Sequence, residues 1–152
     1  MESEKYLNSK WIIFNKLVLQ EIPKTAQDVE RIYWCGLNQV LKTLIFIWSK
    51  RPIIAVLQWD KRVKMQKIRQ IAWDNQIKPA KPEEIKQITW YEIGAISPFW
   101  FEADVIKILD KDILNSDKII NIWSWVAEIW FEMMPTELQK AWDWIIEEIS
   151  ER

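Results

Sequence analysis

Lys42 stands inside an apolar run, with Val40 and Leu41 before it and Leu44, Ile45, Phe46 and Ile47 after it. An ammonium in such a strand is costly to bury without a use, and lysine is readily tuned by its surroundings. That makes it a candidate for holding or polarising an oxygen-rich substrate. The alternative is a side chain turned to solvent at the strand start or on a sheet edge. The second candidate is Gly94-Ala95-Ile96-Ser97-Pro98, which holds one of only two glycines and whose proline restricts Ser97. Such a loop can present backbone N–H groups to an anion or a polarised carbonyl. Ordinary turns also contain Gly and Pro.

Several chemistries are excluded. The 152 residues contain no histidine, which removes His triads, His general bases and His metal ligands together. A lone cysteine, Cys35, makes neither an internal disulfide nor a cysteine zinc site, so a reducing cytoplasm is the simplest setting. Cys35 is expected to pack in a helix end. The acids between 102 and 117 read as solvated loops, Glu83 and Glu84 as a helix start, and no carboxylate pair or metal cluster emerges. No cofactor is expected. No run approaches the roughly 18 apolar residues of a membrane span, and MESEKYLNSK is no signal peptide.

The elements that would position these groups belong to one domain, 1–152, of mixed α/β class. Apolar residues at 49% and charged ones at 28% fit a globular chain rather than a disordered one. Trp11 to Gln20 reads as a strand. Thr25 caps a helix over TAQDVERIY, with Asp28 at the capping-box position. Val40–Trp48 and Ile53–Gln58 are nearly continuous apolar runs joined at Ser49–Pro52, hence a hairpin covered on both faces. Asp60 opens a helix over 61–72, with Val63, Ile68 and Ile71 inward. A short strand follows near Ile77. Pro82 begins a helix ending near Thr89. Tyr91–Pro98 reads as a strand running into a loop, Val105–Leu109 as a strand, Asp117–Ile122 as leading into another, and Val126–Met133 as a strand. A last helix from Pro135 to Ile149 carries Leu138, Trp142, Ile145, Ile146 and Ile149 on one face. The irregular order excludes a doubly wound fold.

Net charge is −1, yet residues 42–69 hold eight basic side chains against one acid, Asp60. Lys42, Lys50, Arg51, Lys61, Arg62, Lys64, Lys67 and Arg69 form either a phosphate-binding surface or a solvated helix face.

The order of these pieces resembles the YbaK/ProX family of aminoacyl-tRNA editing domains, also found inserted in or appended to prolyl-tRNA synthetases. The resemblance covers nearly the whole chain. Thr25-Ala26-Gln27-Asp28-Val29 resembles the family's first helix, and Val40-Leu41-Lys42-Thr43-Leu44 its lysine-bearing strand. Asp60-Lys61-Arg62-Val63 is similar to its strand-to-helix turn, and Tyr91 to Phe99 to its GXXXP loop. The resemblance implies a central mixed, barrel-like sheet surrounded by helices. It implies hydrolysis of the ester joining a wrong amino acid to the 3′-terminal ribose of tRNA. By the same resemblance Lys42, Gly94, Ser97 and Pro98 would do the catalytic positioning. Thr43, Ala95, Ile96, Trp100, Ser124 and Trp125 would shape the substrate site, and Lys61, Arg62 and Lys64 would meet tRNA phosphates. No general base is assigned. Lacking a synthetase catalytic domain, the chain would act in trans on released aminoacyl-tRNA, as a monomer or weak dimer. Two other readings are a non-catalytic tRNA-end or nucleotide-binding module and a Trp-rich interaction protein.

One composition feature departs from the family. Glycine occurs twice and tryptophan twelve times, whereas glycine at about 7% would supply roughly 11 residues. Trp34, Trp48, Trp59, Trp73, Trp90, Trp100, Trp123, Trp125 and Trp130 fall where relatives carry glycine, and Trp11 and Trp144 join them less clearly. Trp142, on an apolar helix face, is the expected exception. The expectation is that these tryptophans stand for UGA codons that the source lineage reads as glycine. Genuine tryptophans would overpack the fold at about 1–3 kcal/mol per site, and Trp100 and Trp125 would crowd the pocket.

Overall fold

The computed structural model describes residues 1–33, 36–47, 52–89, 95–99 and 105–152. Its centre is the expected hairpin. β2 (Leu41–Ile47) and β3 (Pro52–Gln58) pair antiparallel from Leu41 opposite Gln58 to Ile47 opposite Pro52. β3 is buried from Ile53 to Gln58, as a strand covered on both faces must be. β6 (Ile106–Asp110) joins β3 in parallel, and β9 (Ile145–Glu147) joins β6 in parallel. β5 (Lys78–Pro79) adds to the far side of β2, giving the mixed order β5-β2-β3-β6-β9.

A second, antiparallel sheet of order β1-β8-β7 comprises β1 (Asn15–Val18), β7 (Ile120–Trp123) and β8 (Ile129–Met133). A parallel bridge between Val40 and Asn121 brings the two sheets together at the start of β2. The arrangement is barrel-like without closure among the described residues. Leu7, Leu41, Val56, Phe99, Leu109 and Phe131 fill the core between the sheets, while Phe46, Ile53, Ile68 and Ile108 fill the opposite layer.

Helix α2 (Ala26–Tyr33) begins as its sequence requires: Thr25 Oγ1 accepts the Asp28 N–H at 3.1 Å, and the Asp28 carboxylate accepts the Lys24 N–H at 3.0 Å. Helix α4 (Pro82–Thr89) also starts at its proline, with the Glu84 carboxylate accepting the Lys81 N–H at 3.0 Å. Three expectations are corrected. The strand expected over 11–20 shrinks to Asn15–Val18, and a helix, α1 (Glu2–Ser9), precedes it and buries Leu7. The helix expected over 61–72 begins only at Met65: β4 (Arg62–Val63) pairs with β10 (Ser150–Glu151), and α3 spans Met65–Ala72. Lys61 and Arg62 are therefore off the helix.

The long C-terminal helix is replaced by α6 (Pro135–Gln139) followed by β9 and β10. The cause is the buried carboxylate of Asp110, just before the short helix α5 (Lys111–Leu114). It accepts the Ile149 N–H at 3.1 Å and the Ser150 hydroxyl at 2.5 Å. Those bonds hold the last residues extended against β6 and β4, so Ile145 is left partly exposed instead of on a buried helix face.

Candidate active site

Lys42 is the second residue of β2, opposite Leu57 of β3, and half-buried. Its ammonium donates to the backbone carbonyl of Lys61, in the turn that follows β3. Burial lowers its pKa below the ordinary lysine value, and the negative charge of Asp60 offsets part of that shift. The side chain stands at the strand start, where β5 reaches only Phe46 and Ile47 of β2, and it lines a cleft of about 300 Å³ together with Ile22, Pro23, Thr43, Trp59, Ile96 and Trp123.

Three expected site residues thus share one cavity, namely Lys42, Thr43 and Ile96. Thr43 is 5% exposed, and its hydroxyl is buried with no hydrogen-bond partner among the described residues. An unpaired buried hydroxyl costs about 1–3 kcal/mol, which makes Thr43 a group that a bound ligand could satisfy.

The remaining loop residues brace the cleft rather than line it. Ala95 O accepts the Trp125 N–H at 2.9 Å, and Phe99 O accepts the Trp125 indole N–H at 2.7 Å. Ser97 is fully buried, its hydroxyl accepting the Phe99 N–H at 3.2 Å; the Pro98 carbonyl accepts the Trp142 indole N–H at 2.8 Å. The Ser124 hydroxyl accepts the Val126 N–H at 3.2 Å, and its carbonyl accepts the Ser3 hydroxyl at 2.7 Å. Gly94 and Trp100 lie outside the described residues, as do Cys35, Lys50 and Arg51.

The expected phosphate contacts sit beside the Lys42 anchor, but not as free cations. Lys61 pairs with Asp112 at 2.7 Å and Lys64 with Glu148 at 3.4 Å, while Arg62 donates to the Arg152 carbonyl at 3.3 Å. Glu148 arrives with the C-terminal strands that replace the expected helix. A larger polar groove of about 750 Å³ lies near Lys61, lined by Asn38, Gln58, Asp60, Asp112 and Arg152 among others. It is the bigger cavity and Lys61 lines it, but that amine is already paired with Asp112, whereas the Lys42 cleft holds an amine with no carboxylate partner among the described residues and an orphan hydroxyl. Sequence reasoning misses Ile22, Pro23 and the Lys61 carbonyl, since neither an apolar loop nor a backbone acceptor has a side-chain signature.

Chemically, the cleft offers a cation, an unsatisfied hydroxyl and apolar walls. Neither carboxylate nor imidazole lines it among the described residues, and no group of three metal-ligating side chains occurs among them. No helix among the described residues is long and apolar enough to cross a membrane.

The chain resembles known proteins in both sequence and fold. The family model for the aminoacyl-tRNA editing domain matches residues 21–141. The proline–tRNA ligase of Streptococcus mutans is 26% identical over 115 residues, covering 74% of this chain and 19% of the ligase. The ligase of Lactiplantibacillus plantarum is 24% identical over 94 residues, 60% of this chain and 16% of its own length. The chain thus spans about a fifth of these relatives. Among solved structures, a hypothetical protein superposes with a TM-score of 0.90 at 18% identity, over 99% of this chain and 100% of the other. Another, proposed to be a trans-editing enzyme for prolyl-tRNA synthetase, superposes at 0.83 with 18% identity over 99% and 96%. By the span of the family match, the chain belongs to the aminoacyl-tRNA editing domain family.

Proposed function

We propose that the chain is a trans-acting deacylase that hydrolyses the ester between a wrongly attached amino acid and the 3′-terminal ribose of tRNA. The observation that carries this reading is the shared cleft of Lys42, Thr43 and Ile96. The Lys42 ammonium holds the ester oxygen or terminal ribose, and Thr43 supplies a hydroxyl that needs a partner. Water adds to the ester carbonyl, the C–O bond to the ribose breaks, and the proton passes to the departing ribose oxygen. The products are free amino acid and uncharged tRNA. An aminoacyl ester is already activated, so placement and oriented charge can supply much of the rate without a histidine base. Lys61, Arg62 and Lys64 meet acceptor-stem phosphates, which displace the carboxylates now paired with the two lysines.

The absence of a carboxylate or imidazole among the described cleft residues favours one second reading, a module that binds the tRNA end without turnover. Deacylation of mischarged tRNAs separates the two. The proline tRNA is the first to test, since proline–tRNA ligases are among the relatives. Turnover that Lys42→Ala abolishes supports the deacylase, whereas binding without turnover in the parent supports the module.

A further inference from the structure

Among the described residues, three non-glycine residues have a positive φ: Trp11 at 59°, Trp73 at 57° and Trp125 at 81°. All are tryptophan. The left-handed region penalises a Cβ, glycine enters it freely, and Asn and Asp are the usual substitutes. Tryptophan is 12 of 152 residues, so indifferent placement would not fill all three positions with it.

Two of the positions have a defined backbone role. After α1, Trp11 donates its N–H to Asn8 O at 3.1 Å and Ile12 donates to Leu7 O at 3.2 Å. After α3, Trp73 donates to Gln70 O at 3.3 Å and Asp74 to Arg69 O at 3.1 Å. Both are Schellman helix ends, the motif that places glycine just beyond the last turn. Ile12 and Leu7 add the apolar contact that goes with it. The side chains at these positions gain almost nothing in return: Trp11 is 88% and Trp73 is 94% exposed. Trp125 differs, because its indole is buried and bonded to Phe99 O.

We propose that residues 11, 73 and 125 are glycine in the protein as its own cell makes it, the codons there being UGA read as glycine. Composition raises this possibility for the chain as a whole, and the backbone names the positions that demand it. The proposal reaches the cleft. Trp59 and Trp123 both line it and meet edge-on at 5.5 Å, with Trp130 edge-on against Trp123 at 4.9 Å. Glycine at 59 and 123 would remove two indoles from the wall of the Lys42 cleft and widen the space there. What that space admits, an aminoacyl group on a ribose, rests on the deacylase reading.

The first test is the source gene. UGA at codons 11, 73 and 125 is expected, and UGG at any of them overturns the proposal. The second uses recombinant protein. Trp11→Gly with Trp73→Gly should raise Tm by roughly 4–8 °C, since left-handed strain is relieved at two sites. Trp11→Ala with Trp73→Ala removes the same exposed indoles but keeps the strain, so it should recover much less. Alanine matching glycine would contradict the argument. Trp142→Gly is the control and should lower Tm, because Trp142 stacks on Tyr6 at 4.6 Å and bonds the Pro98 carbonyl. Deacylation is a separate readout: Trp59→Gly with Trp123→Gly should raise kcat/KM for mischarged tRNA. UGA codons with no deacylation by either the parent or the double-glycine variant would sink the deacylase reading and leave the recoding intact.

Discussion

The Lys42 ammonium donates to the backbone carbonyl of Lys61, tying the cation of the cleft to the turn that follows the central strand β3. An ammonium has three donors, and the Lys61 carbonyl takes one of them. The tie fixes the amine in place, and no carboxylate among the described residues pairs with it directly. Asp60 acts on it only as a neighbouring charge. An amine held by a neutral dipole at the wall of a cleft is ready for an oxygen-rich ligand.

The pH dependence has a definite sign. Burial holds the folded-state pKa of Lys42 below the ordinary lysine value, with Asp60 offsetting part of the shift. Between the folded and unfolded values the unfolded chain binds more protons, so stability from this group rises with pH there. On the proposed role of a charged Lys42, deacylation runs the opposite way. Corrected for spontaneous ester hydrolysis, it should fall with rising pH at a midpoint below the ordinary lysine range. Lys42→Arg should shift that limb upward, and an unshifted limb would assign it to another group.

Thr43→Val separates a binding role from a packing role. The variant removes a buried hydroxyl that has no protein partner among the described residues, so Tm should stay level or rise by about 2–4 °C. If the substrate uses that hydroxyl, KM rises by about 5-fold, the worth of one hydrogen bond of about 1 kcal/mol. An unchanged KM would remove Thr43 from the site.

Asp110→Ala should cost about 2–4 kcal/mol, since it leaves the buried Ile149 N–H and Ser150 hydroxyl without their acceptor. Tm falls by roughly 5–12 °C. Amide exchange should accelerate at Ile149 and at Lys64, whose N–H bonds the Ile149 carbonyl at 2.7 Å. Unchanged protection at both amides would show that Asp110 does not hold the C-terminal strands.

Local signals in the sequence are the ones that can be read. β2, β3 and the capped start of α2 are legible because apolar runs and the Thr25–Asp28 spacing act within a few residues. The C-terminal segment misleads because Trp142, Ile145, Ile146 and Ile149 fit a helical stripe, and the choice against it comes from Asp110, far away in the chain. Arg62–Val63 misleads for the same reason, its partner being Ser150–Glu151. In the site, Lys42 stands out because a charged residue in an apolar strand needs a reason. The carbonyl that anchors it leaves no trace in residue type.

The basic segment makes a salt prediction. Surface ion pairs are worth about 0–1 kcal/mol, so tRNA phosphates can displace Glu148 from Lys64 readily, while the part-buried Lys61–Asp112 pair at 2.7 Å yields less easily. Combining Lys61→Ala, Arg62→Ala and Lys64→Ala should weaken tRNA binding and flatten its dependence on log salt by about 2–3 units, near one for each phosphate no longer neutralised. A slope equal to the parent's would place the tRNA elsewhere.

The most direct measurement is hydrolysis of mischarged proline tRNA by the protein with and without Lys42→Ala, in the parent and in the Trp59→Gly, Trp123→Gly background. Loss of the lysine should lower kcat/KM by about 10²–10³-fold while Tm moves by only a few degrees. Parental rates of deacylation from the folded Lys42→Ala protein would contradict the account.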